Sequence, residues 1–258
     1  MPELGKEFEE LINIVSKLRA PDGCSWDREQ TSQSLIPYFI EEVYELIESV
    51  DEQNWENVKE ELGDVLLHIV FQASIAADDN KFNLLSSLKT INEKLVKRHP
   101  NVFETNHKQK HSNDNKNWEL AKYKEKNRDS RLDGVPKNLP SLVRAQRLQQ
   151  KASHAGFDWD HVEQVWGKIH EEILELKEAQ NKKNKDHIED EMGDVIFSIV
   201  NLARFLDISA DNALRRTNQK FIKRFKKVEE GIKEKGIEME DATLKEMDSI
   251  WNYAKKFD

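Results

Sequence analysis

The sequence has a single cysteine, Cys24, so no internal disulfide can form and a reducing compartment is expected. Glycine (9) and proline (6) are scarce in a chain of 258 residues, a balance that suits helices better than sheets. No stretch shows sustained two-residue alternation, which removes half-buried strands from consideration. The longest apolar run, Val65 to Phe71, is interrupted by His68 and falls far short of a bilayer span. Met1-Pro2-Glu3-Leu4-Gly5 lacks the basic-then-apolar layout of a signal peptide, so the expectation is a soluble, cytoplasmic protein with no membrane partner. A basic excess is missing too. The formal charge of −9 argues against a general nucleic-acid binder, and no nucleic acid is expected among the partners.

What the chain does have is charge, 34 % of its residues, and a repeated arrangement of acids. Glu41-Glu42-x-x-Glu45 followed by Glu61-x-x-Asp64 returns as Glu171-Glu172-x-x-Glu175 followed by Glu191-x-x-Asp194, every position displaced by 130 residues. Residues three apart share a helix face. The fifteen residues between Glu45 and Glu61, and again between Glu175 and Glu191, can hold the rest of one helix, a tight turn and the start of the next. Each copy is therefore expected to bring four carboxylates together across a helical hairpin.

Helical periodicity runs almost throughout, over Phe8 to Leu18, Ile36 to Val50, Leu62 to Ala77 and Leu84 to Leu95. A polar stretch from Asn101 to Asn117 reads as a mobile loop, followed by a short helix around Trp118 to Lys126. Residues 128–140, with Gly134, Pro136 and Pro140, read as an interdomain linker. The pattern then restarts at Leu142 and continues over Val162 to Ala179, Ile188 to Leu206, Ala210 to Lys233 and Leu244 to Phe257. The expected fold is all-α, with two tandem helical-bundle domains at 1–127 and 141–258. Duplication extends beyond the acids, since Gly63-Asp64-Val65, Ile69, Val70 and Ala73 recur as Gly193-Asp194-Val195, Ile199, Val200 and Ala203. Asn92-x-Lys94-x-x-x-Arg98 recurs as Asn218-x-Lys220-x-x-x-Arg224 at an offset of 126, so four residues are lost between the third and fourth helices.

On a helical wheel Asp64 and His68 lie within about 60° of Glu61, with Leu62, Val65 and Ile69 on one flank and Leu67, Val70 and Phe71 on the other. Glu191, Asp194 and Ser198 share the corresponding stripe, flanked by Met192, Val195, Ile199, Phe197 and Val200. Carboxylates walled by apolar side chains need protons or a cation, and oxygen-only ligands select a hard ion, Mg²⁺ by default with Mn²⁺ close behind. A single acidic cluster is an ordinary solvated helix face; two at identical spacing on an apolar second helix are not. A di-iron bundle would need Glu-x-x-His on inward faces, and the chain offers that spacing only at Glu104 and His107, in the polar stretch. Lys94 with Arg98, and Lys220 with Arg224, stack one turn apart and could grip a polyphosphate. Trp118 and Trp251 could stack on a base or anchor the last helix of each half.

These residues resemble the MazG family of nucleoside triphosphate pyrophosphohydrolases, within the all-α superfamily that includes dimeric dUTPases. Gly23-Cys24-Ser25-Trp26-Asp27, Lys97-Arg98-His99-Pro100-Asn101-Val102-Phe103 and Gly156-Phe157-Asp158-Trp159 add to the likeness, which covers nearly the whole chain. The resemblance implies hydrolysis of a nucleoside triphosphate to monophosphate and pyrophosphate by a Mg²⁺-dependent homodimer. It implies metal ligands at Glu172, Glu175, Glu191 and Asp194, with Glu42, Glu45, Glu61 and Asp64 their counterparts, and nucleotide contacts from Lys220, Arg224, Trp251 and His187. Glu171, about 100° around the helix from Glu172, is the residue expected to orient the attacking water or tune the site. The C-terminal half is expected to carry the activity, the N-terminal half to be mainly structural. His68 beside the first acids could become a cation that competes with metal. The same apparatus would also serve a non-catalytic, metal-dependent nucleotide sensor, and a structural helical dimer with incidental acids is a third possibility.

Overall fold

A computed structural model describes residues 2–103 and 129–257. Trp118 with the helix expected around it, Glu104, His107 and nearly all of the polar stretch lie outside the described residues. The described part is helical apart from turns and short connections, and it divides into two compact units, residues up to 103 in the first and from 129 in the second.

The first unit comprises α1 (Pro2–Leu18), α2 (Ser25–Glu29), α3 (Ile36–Asp51), α4 (Trp55–Asp78), α5 (Leu84–Arg98) and the single turn α6 (Pro100–Phe103). Helix α4 is the hub, packed by α1 and, as an antiparallel hairpin, by α3. Its core gathers Val15, Leu35, Val70, Phe71 and Ile75, with Phe8, Leu11 and Leu67 packed against them. Each such fully buried aliphatic side chain contributes about 1.5–3 kcal/mol by leaving water. Helix α4 starts seven residues before the apolar stripe that marks it in the sequence. Asn54 caps it, accepting from the Asn57 N–H, and the first two turns are largely solvated, with only Val58 buried. The link from α1 to α2 requires glycine at 23, because a Cβ there would collide with the backbone carbonyls of Lys17 and Leu18.

The second unit comprises α7 (Ser141–His154), α8 (Val162–Lys182), α9 (Lys185–Phe205), α10 (Ala210–Glu234) and α11 (Leu244–Ala254). Helices α8 and α9 form the hairpin and α7 packs on α9. Val165, Ile169 and Leu202 make its centre, with Val162, Ile173 and Phe205 around them. Val228 and Ile232 of α10 are buried, and Ile250 of α11 closes on Gly231.

The two hairpins match residue for residue at their turns. Gln53 (φ 57°) and Lys183 (φ 56°) take the left-handed conformation that ends the first helix, and Asn54 and Asn184 cap the second. The four lost residues are now placed: α4 is 24 residues long against 21 for α9, and the connection that follows is residues 79–83 against 206–209. The loss lies beyond the acids, so it leaves their register alone.

Candidate metal and nucleotide site

In each hairpin the first helix supplies two acids one turn apart and the second supplies one facing them. Carboxylate oxygens of Glu172, Glu175 and Glu191 lie within 4.8 Å of one another, and so do those of Glu42, Glu45 and Glu61. Asp194 and Asp64, the fourth acids of the expected sets, are not part of these groupings. Asp64 still acts on its cluster by charge, since it helps raise the pKa of Glu42 and Glu61.

The apolar walls expected from the wheel are open in part. Leu62 and Ile69 are about half exposed, as are Met192, Phe197 and Ile199. Glu172 alone of the acids is buried, at 6 % exposure. Glu175 is exposed by area, yet loss of hydration raises its pKa, and the charges of Glu172 and Glu191 raise it further. Desolvation likewise comes first for Glu42 and Glu61, followed by the surrounding carboxylates. Three oxygen donors that converge and repel one another fit a hard divalent ion, and the donor set does not distinguish Mg²⁺ from Mn²⁺.

The halves differ in what stands beside the acids. Lys168, one turn before Glu172, places its ammonium 2.9 Å from Glu171 and 2.7 Å from Glu172. Hydrogen bonds to Glu171 and then Glu172 hold its pKa above the ordinary lysine value. Tyr38 occupies the equivalent position in the first half and meets Trp26 edge-on at 5.9 Å. Glu171, expected to orient water, is solvent-exposed and engaged by Lys168. His187 Nδ1 sits 3.4 Å from Glu191. His68 departs from the role of a competing cation: burial pushes its pKa below the usual histidine value despite the opposing charge of Asp64, so the ring stays neutral at neutral pH. Its partner in contact is Phe39, at 5.8 Å between rings.

Beside the second acid cluster lies a cavity of about 550 Å³, lined by the charged Glu172, Asp194, Lys168, Asp158 and Arg204 and by apolar groups that include Leu148, Trp159 and Phe197. That is the size and character of a small-molecule site, mostly apolar with a few charged groups. Gln149 lines it while almost fully buried, its Nε2 donating to the Phe197 carbonyl at 2.8 Å and its Oε1 without a partner.

A sequence profile of the MazG nucleotide pyrophosphohydrolase domain matches residues 30–103 and again 161–229, one match on each acid hairpin. The chain belongs to the MazG family. It is 47 % identical to the nucleoside triphosphate pyrophosphohydrolase/pyrophosphatase MazG of Thermotoga maritima over 99 % of this chain and 98 % of that one. To the nucleoside triphosphate pyrophosphohydrolase of Escherichia coli K12 it is 36 % identical, over 97 % of each chain. It is thus an enzyme of the nucleoside triphosphate pyrophosphohydrolase class, all-α with two MazG-like helical domains.

Of the other residues expected in a MazG nucleotide site, Arg224 and Trp251 meet each other. The Arg224 guanidinium lies 5.6 Å from the Trp251 ring centroid, and Phe221 packs on the same indole at 5.1 Å. Lys220 is exposed on α10. None of these three lines the cavity beside the acids; Arg224 lines a second one, of about 370 Å³, between α10 and α11. Three residues that stand beside the acids or line the cavity were not singled out by the sequence. Lys168 carried a signal, since a lysine three and four residues before two glutamates is spaced for helix ion pairs. Trp159 stood in a quoted segment without a role, and Gln149 gave no signal, being one glutamine among several on a polar helix.

Proposed function

We propose that the C-terminal unit hydrolyses nucleoside triphosphates between the α and β phosphates, releasing a nucleoside monophosphate and pyrophosphate. The observation that carries this is the convergence of Glu172, Glu175 and Glu191, with Glu172 also lining a cavity large enough for a nucleoside. These three, with Asp194 at the cavity's edge, would hold Mg²⁺, with Mn²⁺ as the alternative. The ion supplies Lewis acidity toward the phosphate oxygens and lowers the pKa of a nearby water. A carboxylate of the cluster takes the proton as the water oxygen bonds to the α phosphorus and the α–β bridging oxygen departs with the pyrophosphate.

Lys168 would neutralise phosphate charge and His187 would act through Glu191, while Lys220, Arg224 and Trp251 would be nucleotide contacts outside the cavity. Glu171 would keep Lys168 in place rather than touch water. The N-terminal unit, with Glu42, Glu45, Glu61 and Asp64, would be mainly structural: Tyr38, in edge contact with Trp26, stands where the second unit presents Lys168 beside its acids. The proposed domain limits are 1–127 and 141–258, joined by 128–140.

A homodimer would cover the half-exposed apolar faces of both hairpins. None of the described helices is long and apolar enough to cross a membrane; a cytoplasmic location without membrane or nucleic-acid partners is part of the same proposal. Removing the acids of each half separately and measuring pyrophosphate release tests the assignment. Complete loss from changing Glu42 and Glu45 alone would move the activity to the other half. Triphosphate bound but left intact would make the protein a nucleotide sensor instead.

A further inference from the structure

The wall of the cavity that carries Trp159 is the loop between α7 and α8, and it has little secondary structure of its own. Gly156 turns it with φ 94°, a conformation glycine adopts freely, and the Phe157 N–H reaches back to the Ala152 carbonyl at 3.0 Å. At its far end the Asp160 and His161 N–H groups donate to Gln164, each at 3.0 Å. Between these anchors it is held by Asp158. One carboxylate oxygen of Asp158 accepts from the Trp159 N–H at 2.9 Å and from Arg204 Nη2 at 2.5 Å, while the other accepts from Arg204 Nη1 at 3.1 Å.

Arg204 is well fixed for that task. Its side chain is 10 % exposed near the C-terminal end of α9, its Nε donates to Asn201 at 2.9 Å, and its guanidinium lies 5.8 Å from the Phe205 ring centroid. A two-pronged pair of this kind sets direction as well as distance. The aromatic rings it holds up are not otherwise satisfied, Trp159 being 42 % and Phe157 85 % exposed. Open aromatic faces at an apolar cavity are what a flat heterocycle stacks upon. The profile match begins at residue 161, so Asp158 and Trp159 lie outside it while Arg204 lies within.

We propose that Arg204 and Asp158 are positioning residues for the nucleoside: their ion pair fixes the loop so that Trp159 forms the wall against which the base of the triphosphate lies. This rests on the assignment of the cavity beside Glu172 as the nucleotide site. Arg204→Gln, Asp158→Asn and the charge-exchanged pair Arg204→Asp/Asp158→Arg test it alongside Trp159→Ala, with Mg²⁺ and a nucleoside triphosphate. Losing one stacked base contact is expected to raise KM about tenfold in Arg204→Gln, Asp158→Asn and Trp159→Ala, with kcat changed much less and part of the KM recovered in the exchanged pair. Inhibition by magnesium pyrophosphate, which has no base to stack, should stay at the wild-type level.

A loop with a merely structural role would lower melting temperature and kcat and leave that contrast unmoved. Wild-type KM in Arg204→Gln, or equal weakening of pyrophosphate inhibition, overturns the proposal. Calorimetric binding of a nucleoside monophosphate separates its failure from that of the assigned reaction. If no triphosphate is cleaved but monophosphate binding still depends on Arg204, the reaction alone is wrong. If triphosphate is cleaved and monophosphate binding ignores Arg204, the positioning role is wrong.

Discussion

Lys168→Met is the substitution whose outcome bears most directly on the charge balance of the second acid cluster. Lys168 is the cation beside Glu172, and Glu172 is the buried member of the set. Taking away one partner of a buried ion pair costs about 3–5 kcal/mol. The lysine side chain is 38 % exposed, so water screens part of that and a cost of about 1–2 kcal/mol is expected. For a unit of this size the melting temperature in EDTA should fall by about 3–8 °C. Methionine keeps most of the side-chain volume, so packing changes little.

The same substitution should increase the stabilisation by Mg²⁺. An ion held by Glu172, Glu175 and Glu191 supplies the missing positive charge, and a ligand that binds the folded state adds stability in proportion to the logarithm of its affinity. The gap between wild type and variant seen in EDTA should therefore close in saturating Mg²⁺, while Lys168→Arg should behave like the wild type in both. Scanning calorimetry under the two conditions reads both effects. A variant as stable as the wild type in EDTA, or one that gains no more from Mg²⁺, would refute the placement of the ammonium and the ion on one set of carboxylates.

Glu172→Gln or Glu175→Gln should lower kcat for pyrophosphate release by about a hundredfold or more, whereas Glu42→Gln with Glu45→Gln should change it only a few-fold; a phosphate-product assay with each set separates them. Folding raises the pKa of Glu175 above 4.5, so its ionised form disfavours the folded state at neutral pH. In EDTA this group's contribution to stability therefore grows as the pH is lowered through the raised value toward 4.5. Melting curves of wild type and Glu175→Gln across that window should converge toward the acid end, and a gap that widens there would contradict the sign. Ile232→Ala, at a fully buried position, should cost about 2–5 kcal/mol by cavity formation, read from denaturant midpoints. Thr243→Ala removes the hydroxyl that accepts from the Glu246 N–H and should cost about 1 kcal/mol at the start of α11.

The hairpins were legible because apolar spacing and acid spacing agreed, and the turns at Gln53 and Lys183 fall where the fifteen-residue intervals required. Helix starts were read less well. Leu4 is 74 % exposed in the first turn of α1, and the polar Glu56 to Glu60 follows the start of α4, so neither region displays the buried stripe that reveals a helix. The acids were found as a set, but the sequence could not separate Glu172, Glu175 and Glu191 from Asp194, since a wheel reports direction around one axis and not distance between two. Nor could it find the cavity. That depends on how α7 and the loop at Trp159 lie against α9, a matter of long-range packing that local spacing does not encode.

The equal length of chain from Glu175 to Glu191 in one half and from Glu45 to Glu61 in the other works as a ruler. A residue inserted between the Asn184 cap and Glu191 would rotate that carboxylate about 100° around the helix axis and advance it about 1.5 Å, out of reach of its partners. At the opposite end of the hairpin the two halves already differ by four residues without disturbing the acids. Segments grafted or trimmed after Ala203 or Ala73 should thus be tolerated by the acid geometry, while the short turns at Gln53 and Lys183 should not change in length.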